Sequence, residues 1–198
     1  MLRIVPAVHR REFVAVLAAG TAAFLVVPAN GASTEYFPST EPVAVLSPHF
    51  DRFLAAMAEP ALPGRQDINY AVRVTVLMGQ REVLALRIEQ TASGAITSTF
   101  KKHAFLRSGD LSRVASRTQT RRISPDEFSL LVDEVQRQNF FSIGPPGYGV
   151  TGGSLWLLEV SKGKEYHAAY LPARPANTPF GTVVATAARI AGVAELVP

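Results

Sequence analysis

The feature that most constrains this chain is a two-residue alternation in "NYAVRVTVLM". Tyr70, Val72, Val74 and Val76 alternate there with Ala71, Arg73, Thr75 and Leu77. That period sends successive side chains to opposite sides of a strand and predicts one buried face. Gly79 and Gln80 offer a tight turn into "REVLALRIEQ", so the two runs read as a hairpin. After a second turn at Ser93 and Gly94, "SGAITSTFKKHAFL" reads as a third strand and "SRVASRTQTRRI" as a fourth. Arg113, Arg117 and Arg121 in that last run would share a face in a strand and in a helix alike, so their spacing leaves both open.

Helices are marked by their ends. Ser124, Pro125, Asp126 and Glu127 form a capping box with proline at the first helical position and acid at the positive end. Phe128, Leu131, Val132 and Val135 then make an apolar stripe, with Asp133, Glu134, Gln136 and Arg137 expected to face water. Thr178, Pro179 and Gly192 bracket a closing helix over "TPFGTVVATAARIAG". A shorter helix is expected over "HFDRFLAAMAE", behind Ser47 and Pro48, ending at Pro60 and Pro63. A second hairpin joins "SLWLLEVS" to "EYHAAYLP" through "KGK". Strand runs separated by isolated helices predict an α+β fold. Its largely antiparallel sheet would be packed by two or three helices in a single domain.

The N-terminus bounds the compartment. Arg3, Arg10 and Arg11 precede the uncharged run "FVAVLAAGTAAFLVV", the order of an export signal. Ala29, Gly31, Ala32 and Ser33 offer a cleavage site, and Arg10, Arg11, Phe13 and Val14 resemble a twin-arginine signal. The expected organisation is a signal peptide over 1–32, an extended arm or linker over 33–46 and one domain over 47–198. The expected location is periplasmic or secreted; the alternative is a membrane anchor through an uncleaved N-terminal helix. The chain has no cysteine, so neither lipid attachment at a cysteine nor disulfides can serve it, and stability must come from an apolar core. About 165 residues beyond the signal suffice for one such core. Removing Arg3, Arg10, Arg11 and Glu12 from 20 basic and 16 acidic residues leaves 17 and 15. The mature chain is only mildly cationic, and nucleic acid is not an expected partner.

Gly147, Gly149 and Gly152 spell a literal G-x-G-x-x-G. In a dinucleotide site that loop leaves a strand and opens a helix whose amides meet the pyrophosphate. Here a helix precedes it and a strand follows, so no cofactor is implied. Metal binding needs convergent ligands, whereas His49, His103 and His167 are widely separated and no thiol exists. Ser154 lacks the trailing glycine and the strand-to-helix elbow of a hydrolase nucleophile.

Two weaker constellations remain. Glu159, His167 and Tyr166 could supply an acid, a base and a hydroxyl to a small hydrolase or lyase, depending on hairpin register. A three-residue loop Lys162-Gly163-Lys164 sets Glu159 opposite His167. It also puts Trp156, Leu158, Val160, Tyr166 and Tyr170 on one apolar face. A two-residue turn Lys162-Gly163 sets Glu159 opposite Tyr166 instead. Lys101, Lys102, Arg107, Arg113, Arg117, Arg121 and Arg122 form a basic cluster with Asp110 as its one acid. On one sheet face they would suit an anionic envelope surface or an acidic envelope protein; otherwise they guard exposed strands.

From Ser124 onward, Trp156, Glu159, Gly163, Tyr166 and His167 lie in a W-x-x-E strand and a Y-H return strand between two helices. This pattern resembles an uncharacterised bacterial exported domain. The resemblance implies an architecture and no reaction, and the expectation that follows is a non-catalytic binding or interaction module of the bacterial envelope.

Overall fold

The computed structural model describes residues 36–38, 41, 44, 47–79, 82–107, 110–144, 153–172 and 175–196, without the side chains of 47, 49 and 106–114. Six strands make one antiparallel sheet: β1 (Ile68–Met78), β2 (Glu82–Thr91), β3 (Ile96–Arg107), β4 (Asp110–Arg122), β5 (Ser154–Lys162) and β6 (Glu165–Leu171). Their order is β4-β3-β2-β1-β5-β6. The first four strands meander outward from β1, and the chain then returns to lay β5 along its other side. With α1 (Ser47–Ala56), α2 (Pro125–Arg137) and α3 (Pro179–Ala191), the fold is the expected single α+β domain.

One face of the sheet carries the larger core. Val72, Val74 and Val76 of β1 align with Leu84, Leu86 and Ile88 of β2 and with Trp156, Leu158 and Val160 of β5. Phe128, Leu131 and Val135 of α2 and Val183, Val184 and Ala187 of α3 cover them. The capping box forms as the sequence requires. The Ser124 hydroxyl accepts the Glu127 N–H at 3.2 Å, and Glu127 Oε2 accepts the Ser124 N–H at 3.0 Å. That backbone hydrogen bond, with the Ser124 hydroxyl and Arg121 beside it, holds the Glu127 carboxyl below its usual range. Glu134 departs from its expected place in water: it is buried, with its carboxylate taken up by Arg137 and by Gln138 Nε2 at 2.7 Å. Local donors make that burial tolerable.

The other face is covered too, which corrects the reading of β1 as buried on one side. Tyr36 and Phe37 dock on the sheet with Phe50, Phe53, Leu54 and Met57 of α1 and its exit. Together they bury Leu77, Val83, Ala85, Leu157, Ala168 and Tyr170. A strand covered on both sides reads as a nearly continuous apolar run, and "LWLLEV" does so through Leu155 and Leu157.

Both expected registers of the β5–β6 hairpin are overturned. Lys162 pairs with Glu165, leaving Gly163 and Lys164 as the turn, and Glu159 lies opposite Ala168. Gly163 takes φ +59°, the left-handed conformation that the first central position of such a turn demands, and its N–H donates to Asn69 O at 3.0 Å. The shift sends Tyr166 and Tyr170 to the α1 face, away from Trp156, Leu158 and Val160.

At the start of α3, Thr178 Oγ1 accepts the Gly181 N–H at 3.0 Å. A Cβ at Gly181 would stand 1.7 Å from Pro175 O. Alanine normally favours a helix over glycine, yet Gly181→Ala should lower unfolding stability by about 1–3 kcal/mol through overpacking. Urea titration gives the value, and a variant as stable as the parent would contradict the close approach.

Candidate functional site

The densest concentration of polar chemistry lies between the sheet and α1. In the row across the sheet, Arg87 of β2, Arg73 of β1 and Glu159 of β5 are direct neighbours. Arg73 and Glu159 have 0% exposure, and they meet in a two-pronged ion pair. Nε donates to Oε2 at 2.6 Å, and Nη2 donates to Oε1 at 2.6 Å. The Tyr166 hydroxyl, diagonal on β6, donates to Glu159 Oε1 at 2.9 Å. Burial would push the Arg73 guanidinium toward neutrality, but the charge and hydrogen bonds of Glu159 more than offset it and leave its pKa above the usual value. Burial, then the Glu159 charge, drives the Tyr166 hydroxyl far upward, so it stays a donor.

Like charges opposite one another destabilise a sheet, and Arg73 faces Arg87. Glu59, supplied from the exit of α1, answers both. Its Oε2 lies 3.3 Å from Arg87 Nε and 4.0 Å from Arg73 Nη1, while its Oε1 lies 2.8 Å from Lys101 Nζ. Ala58 ends the helix with φ +50°, and the carbonyls freed there find cations, as a helix C-terminus favours. Lys101 Nζ donates to Met57 O at 2.8 Å and Ala58 O at 3.0 Å, and Arg73 Nη1 donates to Pro60 O at 2.6 Å. The Tyr36 hydroxyl donates to Glu59 O at 2.9 Å. Sequence reasoning missed Arg73, Glu59, Arg87 and Tyr36. The one signal for Arg73 was the apolar content on both faces of its partner strand β5.

The structure does not bring Glu159 and His167 together. His167 sits opposite Val160 on the face that carries α2 and α3, against the Phe140 and Phe141 rings. Its Nε2 is 2.9 Å from Ile143 O and its Nδ1 is 3.2 Å from Glu41 Oε2. Tyr166 does meet Glu159, from a half-buried position at the margin of the cluster. Ser154 Oγ accepts the Trp156 indole N–H at 2.8 Å. Gly147, Gly149 and Gly152 lie outside the described residues, between the 3-10 turn Phe140–Ser142 and β5. Among the described residues, no group of three His, Cys, Asp or Glu side chains is placed to hold a metal ion.

The described part of the basic cluster divides between the two faces of the sheet. Lys101 and Lys102 are consecutive in β3 and must point oppositely. Lys101 joins Glu59 under α1, while Lys102 lies 3.1 Å from Glu82 and pairs across the ladder with Arg117. Arg117 lies 2.9 Å from Glu195 and Arg121 lies 2.7 Å from Glu127. Arg122 falls on the α1 side with Thr118 and Thr120. The side chains of Arg107 and Arg113 lie outside the described residues. Elsewhere, an open concavity of about 570 Å³ follows α3, lined by Thr182, Ala185, Thr186, Arg189, Val193 and Ala194. It offers apolar surface and one cation, with no acid and base facing each other.

Removing one partner of a buried ion pair strands the other in a dry interior. Glu159→Gln should therefore cost about 3–5 kcal/mol in chemical denaturation, and the paired replacement Arg73→Met with Glu159→Leu should cost much less than the sum of the single changes. Additive losses would contradict the direct pairing. No family model matches this chain, and no curated protein matches it.

Proposed function

We propose that this chain is an exported, non-catalytic binding or interaction module of the bacterial envelope. The observation that supports it best is how its acid–base groups are employed. Fully buried Glu159 and half-buried Tyr166 are both engaged in the cluster around Arg73, and His167 stands on the opposite face of the sheet. A hydrolase or lyase built on Glu159 and His167 would need both at one accessible concavity, and this geometry does not favour that reading. Export rests on the order of Arg10, Arg11 and the uncharged run after them. The likeness of the segment from Ser124 onward to an exported bacterial domain agrees with it.

One experiment covers both halves of the proposal. The full chain is expressed in a bacterial host, the periplasmic fraction is cross-linked in place, and masses are read from each fraction. The expected result is a chain shortened by its leader, in the periplasm, carrying a reproducible adduct; Arg10→Lys with Arg11→Lys should hold it in the cytoplasm. Full-length chain in the cytosol would contradict export, and periplasmic chain without any adduct would contradict the binding role.

A further inference from the structure

The two edges of the sheet are finished differently. At β6 the N-terminal arm closes the edge: the Ala168 N–H donates to Glu41 Oε2 at 3.2 Å, and the same oxygen faces His167. At β4, which is last in the strand order, no described strand pairs with the outer side. Every side chain from Ala115 to Arg122 is exposed except Gln119, which is half-buried. An unpaired edge strand is a row of free N–H and C=O groups on which another extended segment can pair.

Charge selects the segment. Arg117, Arg121 and Arg122 stand along this stretch, with no acid between Ala115 and Arg122. Two copies of β4 laid antiparallel about Gln119 would set Arg117 of one against Arg121 of the other, and like charges directly opposite are destabilising. That register therefore disfavours a second copy. The carboxylates already held by Arg117 and Arg121, from Glu195 and Glu127, are on the helix-covered side of the sheet and themselves partly exposed. They show what chemistry these guanidinium groups accept. Arg122, on the α1 side, takes part in none of the described ion pairs.

We propose that β4 is a docking edge for an extended acidic peptide segment, which adds to the sheet as a further strand and sets carboxylates against Arg117 on one side and Arg122 on the other. Backbone hydrogen bonds would supply affinity, and acids spaced to face Arg117 and Arg122 would supply register and selectivity over neutral strands. The proposal rests on the binding role above and names its partner chemistry.

The test uses the isotope-labelled full chain and a nine-residue synthetic peptide, blocked at both ends, with Glu at its second and seventh positions and Val and Thr elsewhere, a spacing that turns one Glu to each face. Three comparisons accompany it: the same peptide with Lys for Glu, the same peptide N-methylated at every backbone amide, and phosphatidylglycerol vesicles. The acidic peptide should shift the amide resonances of Ala115–Arg122, slow their exchange and bind at least about tenfold more tightly than the lysine peptide. N-methylation should abolish binding, since it removes the strand hydrogen bonds and leaves the charge. Arg117→Glu with Arg122→Glu, checked by an unchanged thermal melt, should weaken binding about tenfold or more; Arg117→Gln with Arg122→Gln serves if the charge reversal unfolds. Equal binding by the N-methylated peptide, or no loss in either variant, overturns the proposal. Binding to vesicles alone overturns strand pairing too, while the binding role is decided separately by the adducts formed in the periplasm.

Discussion

A guanidinium with no access to water, in the strand at the middle of the sheet, is the interaction on which the other pieces depend. Arg73 cannot be buried alone, because an uncompensated charge in a dry interior costs several kcal/mol. It therefore needs Glu159 from β5, Pro60 O from beyond α1 and Glu59 between it and Arg87. Satisfying one side chain fixes the neighbour of β1, the height at which α1 leaves the sheet and the placement of Tyr36 above it. Buried ion pairs contribute little net stability compared with apolar replacements, but they penalise every alternative arrangement that leaves a partner stranded. In this fold the cluster acts as a register key: a β5 slip of one residue would turn Glu159 to the other face and leave Arg73 unpaired.

The same cluster explains why the sheet is covered on both faces. Half of the cover, α2 and α3, is joined by ordinary apolar packing with Phe128, Val135 and Val184. The other half is mixed, with Phe50, Phe53 and Leu54 at one end of α1 and the charged Glu59 at the other. Since residues 36–59 precede β1 while β5 follows about 100 positions later, this layer closes by long-range contacts, which are slow to form. The outer strand β4 extends past that cover. Its α1-side surface, with Thr118, Thr120 and Arg122, stays in water, and this leaves β4 as the accessible edge.

Elements with local causes were legible in the sequence. The capping box at Ser124, the Thr178 cap, the left-handed Gly192 and the four-strand meander each follow from residues within a few positions of one another. What was not legible depended on distant partners. Alternation in β1 shows a strand but not whether its second face is covered, because Arg73 finds its partner 86 residues away. The β5–β6 register turned on which two residues of Lys162-Gly163-Lys164-Glu165 form the turn, a choice settled by the left-handed Gly163. One division was available beforehand: adjacent residues of a strand cannot share a face, so Lys101 and Lys102 already had to part. The site itself was half visible, since Glu159 and Tyr166 stood out, but as catalytic groups and not as the counter-ion and donor of a buried arginine.

The central claim, that Arg73 is locked between the sheet and the exit of α1, is tested most directly by hydrogen exchange at its side-chain Nε–H. If the ion pair with Glu159 is as buried as described, that proton exchanges only when the whole domain unfolds, with an opening free energy equal to the one obtained from urea. Exchange as fast as that of the exposed Arg122, while the β1 backbone amides remain protected, would contradict it.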